Sequence, residues 1–493
     1  MTMPQRSKIL FLILFLTPLV QLIAQEQIDP LKRRISVQMD STNVETILEK
    51  LVSDNELFFS YNPDLLPEGK MNFSVTDTPL GAVLKTLLPD SLFSVSLIDR
   101  QLIITRIGPK PLKISGRVVE KDGKTPIFYA TVTVEGTYIG TMTNHEGNFD
   151  LNIPYLLRNK NIIISSIGYK QKIISAKELA KVLVIKLQDE SIHLREILVK
   201  PADPRYILQQ FRSNIVKNYP DEPQLMVTFY RETARQDGIY VGVWEAAMEI
   251  LKPPYQFNEP DRVRFIKGRK ADLIRKPKEV FIKVQGGPLG INSLDVVKYA
   301  ETFLDPEYEY LYEYRFEQPE IINGRITWII RFDRLAETEF PCFNGKLWID
   351  ANSYALVGAA YSYDKKSLKI NGRSFIQKEP FGFDTRPENV EYSVQYRFLN
   401  NKWQFYSAHS DIVFRVKQKK KFKTEYRNVT DVLVTQQYSF PKRGRFGPEG
   451  IFHEKDIFSE KIGIYDKEFW GNYNVIKPDD DLIKAVKEAN NPE

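Results

Sequence analysis

Among the residue types that most often carry metal or nucleophilic chemistry, this 493-residue chain has four histidines, His145, His193, His409 and His453, and one cysteine, Cys342. His193-Leu194-Arg195-Glu196 carries the H-x-x-E step of a zinc pair, but a hydrolytic zinc also needs a third ligand, an open position for water and a general base. His145-Glu146 and His453-Glu454 have no second histidine four residues after the first and fail the H-E-x-x-H pattern. Gly123-Lys124-Thr125 ends like a phosphate loop, yet Val118 stands where the first glycine must turn the backbone, and G-x-S-x-G is absent. Asn144, Glu146 and Asp150 place oxygens of the calcium-binding kind around Gly147. A tight turn with Gly147 at its tip accounts for them. We therefore predict no catalytic residues, no metal and no cofactor.

Two aromatic patterns carry more. Between Tyr308 and Phe316 the even positions are Tyr308, Tyr310, Tyr312, Tyr314 and Phe316, with Glu309, Leu311, Glu313 and Arg315 between them. On a strand, that alternation makes one face wholly aromatic. Tyr392, Val394, Tyr396 and Phe398 form a second such face. Each face either packs as core or offers a ligand surface for acyl chains or sugars. The basic run Arg415, Lys417, Lys419, Lys420, Lys421 and Lys423 falls where a hairpin should turn and reads as a solvated turn, with anionic lipid headgroups as the other reading.

The elements that would hold these residues belong to a chain too long for one ordinary domain. Hydrophobic content of 42% suffices for several cores, and 27% charged residues with 12% aromatics argue against disorder. Residues 1–24 carry Arg6 and Lys8 and then an apolar run from Ile9 to Ile23, the pattern of a secretory signal peptide. Without those two cations, 67 of the 69 basic residues face 63 acidic ones, a surplus of four that does not suggest a nucleic-acid partner. Cys342, alone between Pro341 and Phe343, excludes an intramolecular disulfide and reads as a buried apolar residue.

Residues 29–107 read as two β-α-β units in tandem. Val44, Ile47, Leu48 and Leu51 line one face of the first helix, with Ser41 or Thr42 as cap. Leu80, Val83, Leu84, Leu87 and Leu88 line the second, with Thr78 as cap and Pro79 at its first position. Residues 112–190 alternate as half-buried strands punctuated by Lys121-Asp122-Gly123 and Glu135-Gly136-Thr137, a small antiparallel sandwich. After a helix over Tyr206–Asn218, residues 205–477 read as long strands in a meander interrupted by one helix near Asn292–Phe303, and residues 478–493 as a peripheral tail. The fold class expected is multi-domain and mainly β: a small α+β domain, a β-sandwich, and a large curved antiparallel sheet with few helices.

Gly116-Arg117-Val118, Ala130-Thr131-Val132, Gly140-Thr141, Thr143 to Phe149 and Ile167-Gly168-Tyr169 resemble the carboxypeptidase regulatory-like domain, a transthyretin-like sandwich. The resemblance implies an envelope or extracellular binding scaffold and no peptidase activity. Phe58-Phe59-Ser60-Tyr61 and the twin helices resemble the secretin and TonB short N-terminal domain, which implies periplasmic docking to a protein partner. Leu194, Ile197 and Val199 resemble the segment that follows such sandwiches in TonB-dependent receptors, but the remaining chain is too short for a plug and a barrel. The run from Gly345 to Tyr363 resembles a hairpin of half-barrel lipoprotein carriers. Phe229-Tyr230-Arg231-Glu232 and Lys267-Gly268-Arg269-Lys270 resemble an uncharacterised C-terminal region of Bacteroidota envelope proteins. Together these imply an exported adaptor of the periplasm or outer membrane, non-enzymatic, with an envelope protein as partner and peripheral outer-membrane contact. The alternatives are a carrier for a lipid or other amphiphile and a hydrolase of unrecognised type.

Overall fold

The computed structural model describes residues 29–490 except 56, 61–65, 68, 90–92, 99–100, 107–110, 180–183, 190–202, 274–282, 285–286, 379–380, 419–421, 441–449, 454–455, 457, 465–469 and 472. The signal-peptide segment, the pair His193 and Glu196, and the tip of the basic hairpin at Lys419–Lys421 lie outside the described residues.

The fold is mainly β, with mostly antiparallel sheets, few helices and more than one core. In the first part, strands Arg34–Thr42 and Met71–Pro79 pair antiparallel, and Phe58–Ser60, Gln101–Arg106 and Phe93–Ile98 form a second sheet. Helices Val44–Asn55 and Leu80–Leu87 bury Ile47, Leu48, Leu51, Leu80, Val83 and Leu84 in a core of their own. The caps differ from expectation. Asn43 Oδ1 accepts from Thr46 N at 2.8 Å, which supplies the first-turn acceptor that Ser41 or Thr42 was expected to give. Pro79 stands outside the second helix and, lacking a side-chain acceptor, gives no cap, while the Leu80 N–H is taken by the Arg33 carbonyl.

Between Leu112 and Lys186 two sheets, ordered by residue as 172–175, 161–165, 131–134, 140–142 and 184–186, 112–119, 148–153, enclose Ile114, Val118, Val132, Phe149, Leu151, Ile162 and Ile164. Asn144 closes the Gly147 turn by accepting from Glu146 N and Asn148 N, so its carboxamide serves the turn.

The third part is a twelve-stranded sheet. Its strands run in the order Tyr312–Phe316, Arg325–Arg334, Phe343–Asp350, Leu356–Tyr363, Phe383–Leu399, Lys402–Gln418, Phe422–Ser439, Gln224–Gln236, Ile239–Lys252, Arg262–Asp272 and Gly463–Ile464, with Glu320–Ile322 beside Arg325–Arg334. Helix Pro204–Ser213 and the segment 287–311 cover one face. The expected helix near Asn292–Phe303 is displaced. A short helix spans Gly287–Asn292 and turns follow it, and the Asp295 carboxylate is held by Lys252, Tyr255 and Tyr396. The helix expected over Tyr206–Asn218 begins earlier, at Pro204 capped by Asp203, and breaks at Asn214 into Pro204–Ser213 and Ile215–Asn218.

The tail is not peripheral. Residues 473–480 bond to the sandwich through Asn152 N to Asn474 Oδ1 at 2.7 Å and Thr141 Oγ1 to Val475 O at 3.0 Å. Helix Asp480–Asn490 then buries Leu482 and Val486 against Tyr240, Val243 and Leu273. These two buried residues fall four apart, on one helical face, which is why so short a segment docks.

Candidate functional site

The aromatic run assigned as a ligand face is not one strand. Pro306–Leu311 forms a 3-10 helix, started by Pro306 and capped by Asp305, and only Tyr312–Phe316 is extended. Tyr308 is half-buried against Phe340 at 5.6 Å, and Tyr310 points to solvent at 71% exposure. Tyr312 and Tyr314 are buried, and Phe316 packs 5.7 Å from Trp328. Sequence alternation could not reveal this break, since a proline after an aspartate is equally compatible with a strand edge or a helical turn.

The two aromatic faces are one. Register carries Tyr314 to Phe332, then Gly345, Tyr361 and Tyr392 across five neighbouring strands. Phe303 from the covering segment stacks on Phe332 at 4.3 Å and 16°, and lies 4.9 Å from Tyr361. Gly345 is what admits these rings, because a Cβ there would stand 2.8 Å from Phe332 Cζ and 2.3 Å from Ala360 O. Phe303 and Phe332 are fully buried in the main core, so this part of the face is occupied by the chain's own side chains.

Further along the same face lies a buried polar cluster. Lys252 Nζ bonds Asp261 Oδ2 and, at 2.9 Å, Asp295 Oδ2, while Lys298 Nζ reaches Asp261 Oδ1 at 2.9 Å. Tyr255 and Tyr396 each donate to Asp295 at 2.7 Å. Burial alone would push the Lys252 ammonium down, but the two aspartates outweigh it and raise its pKa. The cluster joins the segment 287–311 to the sheet and borders a cleft of about 480 Å³ lined by Asn292, Tyr299, Arg262 and His453.

The opposite face carries a row of charges. His409 stands across from Asp431, Asp431 from Arg231, Arg231 from Glu245, and Glu245 from Arg269, on five successive strands. His409 Nδ1 lies 2.7 Å from Asp431 Oδ1, Arg231 Nε donates to Glu245 Oε1 at 2.7 Å, and Arg269 Nε to Glu245 Oε2 at 2.6 Å. Glu245 has no exposed surface. Burial drives its carboxyl toward neutrality, and Arg231 with Arg269 overcomes this and holds its pKa below the ordinary range. Arg231 also donates to the carbonyls of Ile476 and Lys477, fixing the tail to the sheet. Gly268 lets Ile462 and the Glu245 backbone approach, at 2.5 and 2.7 Å from where a Cβ would be.

The sandwich sits on this face. Tyr129 lies 4.8 Å from the His409 ring and 5.4 Å from His145, Arg397 donates to Thr137 O at 2.8 Å, and Gln404 to Tyr138 Oη at 3.0 Å. Met142 of the sandwich belongs to the main core of the sheet. This interface was not anticipated from sequence. The signal that was available is a charge in mid-strand, where Glu245 interrupts the apolar run from Tyr240 to Met248. Cys342 is buried, and no group of three or more His, Cys, Asp or Glu poised to hold a metal occurs among the described residues. Nor is any helix among them long and apolar enough to cross a membrane.

Comparison with solved structures finds an outer membrane lipoprotein-sorting protein domain from Vibrio parahaemolyticus, 10% identical, covering 49% of this chain and 95% of that one, with a TM-score of 0.25. It also finds a DUF1329 family protein from Desulfovibrio piger at 10% identity, 48% and 94% coverage and a TM-score of 0.21. A lipovitellin structure is 10% identical over 46% of this chain and 27% of its own, with a TM-score of 0.22. Comparison with curated proteins returns no match. Residues 114–199 match the CarboxypepD_reg-like domain family, the stretch whose sandwich packs over the buried charge row.

Proposed function

We propose that this chain is an exported, non-catalytic adaptor of the cell envelope, in which the sandwich and the large sheet form a scaffold and the N-terminal β-α-β module contacts a protein partner. The observation that carries the reading is the packing of the aromatic face. A carrier needs that face open to a ligand, and here Phe303, Phe332 and Tyr312 fill it. The contact between sandwich and sheet supports it further, since Tyr129 packs 4.8 Å from the His409 ring and Arg397 and Gln404 donate to Thr137 O and Tyr138 Oη. The N-terminal module keeps a hydrophobic core separate from both.

The test is native mass spectrometry on the exported chain purified gently from its own envelope, beside a form lacking residues 29–107. The adaptor reading expects a protein partner on the full chain, none on the shortened one, and no lipid on either. A lipid bound one to one on both forms would overturn it in favour of a carrier.

A further inference from the structure

A cleft of about 310 Å³ opens where the sandwich meets the large sheet, within the range of roughly 300–1,000 Å³ usual for ligand sites. One wall is the outward face of the sandwich. Val132, Val134, Ile162 and Ile164 turn into its core, so the residues that alternate with them, Thr131, Thr133, Ile163 and Ser165, face the cleft. Register places Ser165 opposite Thr131, and Thr131 Oγ1 lies 2.8 Å from Ser165 Oγ, which leaves lone pairs on both oxygens for a further donor. The facing wall belongs to the large sheet, where Phe398, Trp403 and Tyr406 bring rings and the Arg325 guanidinium lies 4.0 Å from the Phe398 centroid. Phe398 is 37% exposed. Around these walls the carboxamides of Gln171, Asn323 and Gln395 have no hydrogen-bond partner among the described residues. Arg325 is paired with Asp350 at 3.3 Å, and Arg397 donates to Thr137 O at 2.8 Å.

We infer that this cleft binds an oligosaccharide. A sugar alternates apolar C–H faces with hydroxyls that both donate and accept. Its C–H face lies against the Phe398 and Trp403 rings, and its hydroxyls meet Thr131, Ser165 and the three carboxamides, which also donate and accept. An acyl chain would cover those polar groups without pairing them, which is unfavourable. The charges of Arg325 and Arg397 are matched in number by Asp350 and Glu135, so the cleft carries no surplus to select an anion. A glycan anchored in the outer membrane and a free saccharide offer the same chemistry. The site belongs to the scaffold and stands apart from the docking role proposed for the N-terminal module.

Calorimetry and tryptophan emission of the full exported chain, titrated with maltotriose, cellotriose, chitotriose and polysaccharide extracted from its own outer membrane, test the inference, since Trp403 lines the cleft. We expect saturable binding of at least one of the four, unchanged within about twofold from about 0.05 to about 0.5 M salt because no ion pair forms. Phe398→Ala should weaken it at least about tenfold and Asn323→Gly severalfold. Asn323 has a φ of 53°, which glycine adopts freely, so Asn323→Gly should unfold within about 2 °C of the parent, separating lost binding from lost fold. Binding of the polysaccharide alone would support the site and assign the membrane glycan, and binding of a trisaccharide would support it and assign the free sugar. Binding equal to the parent's in both variants, affinity that falls steeply with salt, or no binding of any of the four would overturn the site.

Discussion

Replacing Glu245 by Gln removes one negative charge from between two guanidiniums, at 2.7 and 2.6 Å, where the side chains of Arg231, Glu245 and Arg269 are each under 7% exposed. Deleting one partner of a buried pair costs about 3–5 kcal/mol, because the other charge is left without compensation. Asp431 faces Arg231 across the next strand and takes up part of that charge, so the loss should stay in this range instead of doubling for two arginines. Replacing all three together, as Arg231→Met, Glu245→Leu and Arg269→Met, removes the three buried charges at once and leaves the Ile476 and Lys477 carbonyls to lose only a donor, while Asp431 keeps His409 beside it. That variant should lie within about 1 kcal/mol of the parent or above it. The assay is urea unfolding followed by tryptophan fluorescence. Trp470 Nε1 lies 3.3 Å from Glu245 Oε2, so its emission reports the region directly. A loss below about 1 kcal/mol for Glu245→Gln, or a triple variant less stable than the single one, would refute the reasoning.

Three further outcomes follow from the same geometry. His145 Nδ1 stands 3.3 Å from Asp479 Oδ2, and this hydrogen bond raises the imidazole pKa; for Asp479, burial pushes upward but His145 outweighs it and lowers the carboxyl. The imidazole contribution is therefore complete below about pH 6.5 and lost as pH rises through its raised value, and the carboxylate contribution is present above about pH 4 and lost as pH falls through its lowered value. Since His145 is half exposed, this tail contact should be worth only about 0.2–1 kcal/mol, strongest between those limits, and a His145→Gln variant should show a flatter pH dependence in hydrogen exchange of the 480–490 helix. Gly345→Ala should lower stability by about 1–3 kcal/mol in the same urea assay, because the new methyl overlaps Ala360 O and Phe332. Tyr310→Ala should change stability by less than about 0.5 kcal/mol while Tyr312→Ala costs about 3–5, a contrast that would vanish if the whole run were one buried strand face.

Much of the fold was legible where one periodicity ran unbroken. The helix faces Val44–Leu51 and Leu80–Leu88, the half-buried strands of the sandwich and the face Tyr392, Val394, Tyr396 all point inward as their spacing requires. Tyr308–Phe316 misled because Pro306 and Asp305 start a 3-10 turn whose residues still alternate in type. The tail misled because a few aliphatic residues among charges, Leu482, Ile483 and Val486, are a weak signal until the patch that Leu482 and Val486 cover exists. The charge row was not visible as such, since Arg231 and Arg269 stood within motifs read for resemblance alone.

By itself, the sequence determined that the chain is mainly β, that a sandwich begins near Leu112, and that Cys342 is buried, because these depend on local alternation, turn chemistry and composition. The tertiary structure decided which strands became neighbours. Four charged residues and a histidine scattered from 231 to 431 meet in one row only because their strands pair in a single register. Ion pairing and desolvation act across space at a few ångströms, and no local pattern in the chain records which distant residue will stand at that distance.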